Sequence, residues 1–112
     1  VNKKQNLFDL VPIISEHIIT EKEGELSVIT FPRFRNKFML KLFVPKRKSP
    51  MIRLTQDKNG TAVWDSIDGK RTIKEIADSL AEHFQHEENY EYRVAAYFLQ
   101  LYKQGFVKNK RT

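Results

Sequence analysis

Two groups of residues in this 112-residue chain have the types and spacing that chemistry requires. The first is His83 and His86, three apart, with Glu82 and Glu87 beside them. Imidazole and carboxylate can ligate a divalent metal, but a site needs three or four convergent ligands with a supporting shell. The one other histidine is His17, far away in sequence, so the pair reads as solvated residues at a helix end, and no metal is expected. The second group is a run of cations, Arg33, Arg35, Lys37, Lys41, Lys46, Arg47 and Lys48, with no acidic residue among them. The net charge is +6, and without this run the chain would hold 13 basic and 14 acidic residues. The basicity therefore belongs to one segment, which could meet phosphates, an anionic surface or an acidic protein.

Other chemistry is thinly supported. There is no cysteine, which removes disulfides, thiolate ligands and a thiol nucleophile. Gly24, Gly60, Gly69 and Gly105 are dispersed, each suits a turn or helix end, and none builds a phosphate-cradling loop or nucleophile elbow. The expectation is a non-enzyme without cofactor. No apolar run approaches the ~20 residues of a membrane span, and no signal-peptide hydrophobic region follows Lys3 and Lys4, so a cytoplasmic protein is expected. The length suits one domain over residues 1–112.

The elements that position these groups fall into a β-rich first half and a helical second half. A strand over His17–Thr20, a polar turn over Glu21–Gly24 and a strand over Glu25–Phe31 read as a hairpin. In the second strand Leu26, Val28 and Thr30 share one side, and Ser27, Ile29 and Phe31 the other. Met51–Gln56 is a third strand, with Ile52 and Leu54 on the core face and Met51, Arg53 and Thr55 on the opposite one. Pro32–Pro50 fits both helical and strand periods, with a short helix near Asn36–Phe43 favoured. Phe34, Phe38, Leu42 and Phe43 interleave with cations there, as in an interfacial segment; the favoured reading docks the aromatics on the domain and leaves the cations in water.

Three helices follow. Asp57 caps the first, which runs to about Ile67 and stops at Asp68-Gly69. Thr72 and Glu75 form a capping box for the second, expected to reach Phe84, with Ile73, Ile76, Ala77, Leu80 and Phe84 on one stripe. The third spans Tyr90–Gln104 and ends at Gly105, with Phe106-Val107 extended beyond it. Its core face is Val94, Phe98 and Leu101; Tyr90 and Tyr97 flank one side, Ala95, Leu99 and Tyr102 the other. That arc is wider than one core requires. Trp64 reads as core.

Asp57, Gly60, Val63-Trp64, Ile67-Asp68-Gly69, Arg71-Thr72-Ile73, Glu75-Ile76, Leu80, Phe98-Leu99, Leu101 and Gly105-Phe106-Val107, in this order and spacing, resemble the PqqD-like family, named for a pyrroloquinoline quinone biosynthesis protein. The likeness covers Met51–Val107. Two features depart from the family pattern: the basic insertion at 32–50, and Gln56 where leucine is common. The resemblance implies an α+β, winged-helix-like fold, with a three-stranded antiparallel sheet and a three-helix bundle. It also implies a peptide chaperone, a recognition element for ribosomally made and later modified peptides. A precursor's leader adds as a strand beside the third strand, against the last helix, and a partner enzyme, often of the radical S-adenosylmethionine type, modifies the core peptide.

On that basis Met51, Arg53, Thr55, Tyr97 and Leu101 are the candidate peptide-binding residues, and the basic run is a dock for an acidic partner. The alternative is a winged-helix nucleic-acid binder using the 33–48 segment. Against it, Glu87, Glu88 and Glu91 lead the helix that would enter the groove and would repel phosphate. A membrane surface is the less favoured partner, and homodimerisation stays open.

Overall fold

The computed structural model describes residues 6–32 and 51–110. The basic run Arg33–Lys48 and the helix expected near Asn36–Phe43 lie outside the described residues. After a 3-10 turn at Leu7–Asp9, the elements are β1 (Pro12–Ile14), β2 (Ile19–Glu23), β3 (Leu26–Pro32), β4 (Met51–Thr55), α1 (Lys58–Asp65), α2 (Ile73–Ser79), α3 (Tyr90–Gln104) and β5 (Val107–Asn109). The architecture is α+β, with a three-stranded antiparallel sheet in the order β2-β3-β4 and three helices. A second, two-stranded sheet pairs β1 with β5. The extended piece at Phe106-Val107 foreshadowed β5; its partner β1 was not anticipated.

The hairpin differs from its sequence reading. β2 runs on through Glu21, Lys22 and Glu23, leaving only Gly24 and Glu25 as the loop. Gly24 supplies the positive φ (63°) that a two-residue hairpin loop demands. The polar run looked like a turn because β2 is an exposed edge strand, where charged side chains are tolerated on both faces. In β3 the expected alternation holds. Ile29 pairs with Thr20 and Leu54, and Val28 with Glu21 and Thr55, so the two sets stand on opposite faces.

The helix-side face of the sheet meets α1. Trp64, 1% exposed, packs in the core and donates its indole N–H to Thr20 Oγ1 at 3.0 Å. Thr61 sits at the end of the ladder, where its Oγ1 accepts the Ser27 N–H at 2.9 Å. The Ser27 hydroxyl donates to Asp65, and Lys22 reaches both groups from β2. A fully buried serine on this face is thus satisfied by helix side chains, as buried polar groups require.

The predicted caps form. Asp57 accepts the Gly60 N–H, and Thr72 and Glu75 close the capping box. α2 is shorter than expected. It ends at Ser79, and residues 80–86 wind on as turns, with Gln85 and His86 left-handed. Phe84 N–H still donates to Leu80 C=O, which carries Phe84 onto the buried stripe despite the break. The core gathers Ile29, Trp64, Ile73, Ile76, Val94 and Phe98, all under 2% exposed, with Leu101, Phe106 and Val107 beside them. Among the described residues, no helix is long and apolar enough to cross a membrane.

Candidate functional site

β4 is an edge strand among the described residues, and its phase against β3 fixes which backbone groups it leaves over. Gln56 N–H donates to Ser27 C=O at 2.8 Å. In an antiparallel ladder, alternate residues exchange bonds with the partner and the others point away. Leu54 and Ile52, in step with Gln56, therefore bond to Ile29 and Phe31. The N–H and C=O groups of Met51, Arg53 and Thr55 point to the free side, and none of them bonds to another described backbone group outside the ladder.

The same strand carries an uncovered leucine. Leu54 faces the helices, opposite the buried Ile29, yet it is 37% exposed. The sequence reading placed Leu54 in the core; it has the face right, but the cover is partial, and α3 meets β4 just beyond it, at Gln56. The contact there is Tyr97, whose hydroxyl donates to Gln56 Oε1 at 2.5 Å. Gln56 Nε2 donates in turn to Leu54 C=O at 3.3 Å. Burial, and then the nearby carboxylates of Asp57 and Asp65, push the Tyr97 phenol well above its ordinary range, so it stays a neutral donor.

Next to this contact, a cleft of about 170 Å³ opens between the start of α1 and α3, lined by Asp57, Gly60, Val63, Phe84, Arg93 and Tyr97 among others. Its floor is apolar. Its rim carries the Arg93 guanidinium, 5.3 Å from the Phe84 ring centroid and paired with Glu87 at 2.8 Å. β4 runs straight into this cleft through Gln56 and Asp57. Edge, exposed leucine, Tyr97 and cleft therefore form a continuous path.

The structure brings together four of the five candidate residues. Met51, Arg53 and Thr55 lie on the edge, and half-buried Tyr97 lies at its end. Leu101 does not reach the path: it is 3% exposed inside the core. One turn beyond Tyr97 on α3, it points into the bundle, as its place beside Val94 and Phe98 on the core face had implied. Arg53 contributes its backbone more than its side chain. Its guanidinium turns inward over the sheet to Glu21 at 3.0 Å and Glu23 at 3.8 Å. Glu21 also accepts from Thr30 Oγ1, and these two partners, Thr30 first, hold its carboxyl below the usual range.

Sequence reasoning missed Gln56 and the cleft residues Phe84 and Arg93 as parts of one surface. The signal for Gln56 was there, a polar side chain at a position where leucine is common. His83, the first of the histidine pair, holds Asn59 Oδ1 at 2.8 Å and stands edge-on to Phe84. Among the described residues no group of His, Asp and Glu is arranged to hold a metal ion.

The sequence model of the family described as coenzyme PQQ synthesis protein D (PqqD) matches residues 53–107. Residues 53–107 are PqqD-like. The match begins within β4 and ends at the first residue of β5, so it holds the path from Arg53 to the cleft and leaves Met51 just outside. No curated protein and no solved structure matches the chain.

Proposed function

We propose that this PqqD-like protein is a non-catalytic peptide carrier. It binds an extended precursor peptide by strand addition to β4 and presents it to a modifying enzyme. The observation that carries this reading is the combination on one strand of a backbone edge unpaired among the described residues (Met51, Arg53, Thr55) and a partly exposed apolar side chain on the helix side (Leu54). A peptide strand beside β4 would satisfy the free N–H and C=O groups. Its alternate side chains would cover Leu54 and pass Tyr97, and the next would enter the cleft floored by Val63 and Phe84. The match to the PqqD family over residues 53–107 supports the reading, since that family is described as coenzyme PQQ synthesis protein D. The winged-helix-like arrangement implied by that resemblance belongs to the same proposal, as do the partner enzyme, of the radical S-adenosylmethionine type, and the basic 33–48 segment as its dock.

The nucleic-acid alternative gains nothing from the described surface. α3 begins with Glu91 in its first turn, and Arg93 is already paired with Glu87. A salt titration separates the two readings. Labelled peptides spanning small open reading frames beside the gene, and a mixed-sequence DNA duplex, are titrated by fluorescence anisotropy. Saturable peptide binding that persists in moderate salt is expected. Duplex binding alone, falling steeply with salt, would overturn the proposal.

A further inference from the structure

Another cavity lies away from the β4 path. It measures about 390 Å³ and sits where the 3-10 turn crosses the starts of α2 and α3. Phe8 and Tyr92 form part of its wall, edge to face with ring centroids 6.4 Å apart. Around them stand the carboxylates of Asp9, Asp78 and Glu91, with Lys74 as the one basic residue among the described lining residues.

Three features distinguish this place from an ordinary solvated face. Tyr92 is 65% exposed, the most exposed large hydrophobic side chain among the described residues, so its ring is presented to the cavity and to solvent. Lys74 is engaged with Asp78 at 3.3 Å, and no described cation pairs with Asp9 or Glu91. The cavity is thus a net negative, aromatic-walled hollow in a chain whose net charge is +6. Its walls are also fixed to each other. Ile73 N–H donates to Leu10 C=O at 2.9 Å, tying the 3-10 turn to the start of α2, and Asn6 Oδ1 caps that turn through the Phe8 N–H.

We propose that this hollow is a docking site for an arginine side chain of a protein partner. A guanidinium is planar and weakly hydrated; it stacks on an aromatic face while its N–H fork engages carboxylates. The Tyr92 ring and the carboxylates of Asp9 and Glu91, which pair with no described cation, provide both kinds of contact. A lysine ammonium would find the carboxylates but could not stack a plane on the ring, so arginine is the better fit. Tyr92 and Tyr97 are five residues apart on α3, about 140° around the helix axis at 100° per residue. The arginine site and the β4 path therefore occupy different faces of α3. A partner held by this arginine would leave the edge strand free.

The test uses the full chain and three short probes, Ac-Gly-Arg-Gly-NH2 and its citrulline and lysine counterparts, followed by NMR on the Phe8 and Tyr92 ring resonances at low salt. The arginine probe is expected to give saturable shifts of both rings. The citrulline probe, which keeps the shape and loses the charge, is expected to give none. Affinity should fall about tenfold in Tyr92→Ala and again in Asp9→Asn/Glu91→Gln, as loss of a cation–π contact and of the paired charges implies. Circular dichroism melts of the variants check that they remain folded; the Asp9→Asn/Glu91→Gln variant leaves every core contact in place. The proposal is overturned if the folded variants titrate like the parent chain, if the citrulline probe binds equally well, or if the lysine probe matches arginine. All three outcomes are independent of peptide binding at β4.

Discussion

The central sheet has two edges, and they are built differently. At the β2 edge Glu21, Lys22 and Glu23 are charged and tied inward: Lys22 to Ser27 and Asp65, Glu21 to Thr30 and Arg53. Unpaired strand edges invite association, and charged residues on them are a common protection. At the β4 edge Met51, Ile52 and Leu54 are apolar, and the one charged side chain, Arg53, turns back across β3 toward β2. Among the described residues, the polar groups of both edges are thus gathered over β2, leaving β4 with free backbone and a partly exposed leucine. A protein guarding only against aggregation would protect both edges. Protection of one and exposure of the other is what a strand-addition site needs.

The comparison breaks most sharply at the backbone. Arg53→Pro removes an outward N–H without touching the bonds from Ile52 and Leu54 to β3, a position where an edge strand tolerates proline. We expect peptide affinity to fall by about 100-fold, reflecting lost strand bonds and a clashing ring. Arg53→Ala keeps the N–H and loses only exposed ion pairs, worth about 0–1 kcal/mol of stability, so its affinity should stay near that of the parent. Isothermal titration calorimetry on the two variants separates backbone from side chain.

Leu54→Lys comes next. Covering a leucine fully is worth roughly 1.5–3 kcal/mol, so loss of that cover should cost about tenfold in affinity. Stability in urea should fall modestly, because the side chain is 37% exposed and so partly covered in the free protein. The matching change on the other edge, Ile19→Lys, alters a residue that is 52% exposed and should leave peptide binding as it was.

Tyr97→Phe removes the hydroxyl that ties α3 to Gln56. A neutral hydrogen bond contributes about 0.5–1.5 kcal/mol, so a few-fold loss in affinity and a small loss of stability are expected, both read from the same titrations.

The smallest effect tests the charge network over β2. Glu21 has its carboxyl held below the usual range by Thr30 and Arg53. A lowered folded-state value means a contribution to stability that is present above the unfolded carboxylate range and is lost as pH falls through the folded value. NMR titration of Glu21 should therefore give a midpoint below its ordinary value of 4.5, moving up in Thr30→Val.

Much of this contrast was legible in the residues. Asp57, the Thr72–Glu75 box and Gly105 announce their helix ends because each cap is a local interaction within a few residues. The alternation in β3 and the placing of Met51, Arg53 and Thr55 on one face of β4 likewise follow from a period of two. What was not legible depends on distant partners. Nothing near Glu21–Glu23 shows that these charges find Thr30, Arg53 and Asp65, so they read as a turn. Pro12–Ile14 is too short to reveal that it pairs with Val107–Asn109. Leu54 alternates like a core residue, and its partial cover depends on elements distant in sequence. Leu101 met two demands at once, groove and core, and packing decides for the core.

The most direct test is amide hydrogen exchange, residue by residue, with and without a saturating precursor peptide from the neighbouring reading frames. Strand addition at β4 predicts new protection at Arg53 and Thr55 and no change at Thr20 and Lys22 on the opposite edge. Protection at β2, or none on either edge while the peptide is bound, would contradict the account.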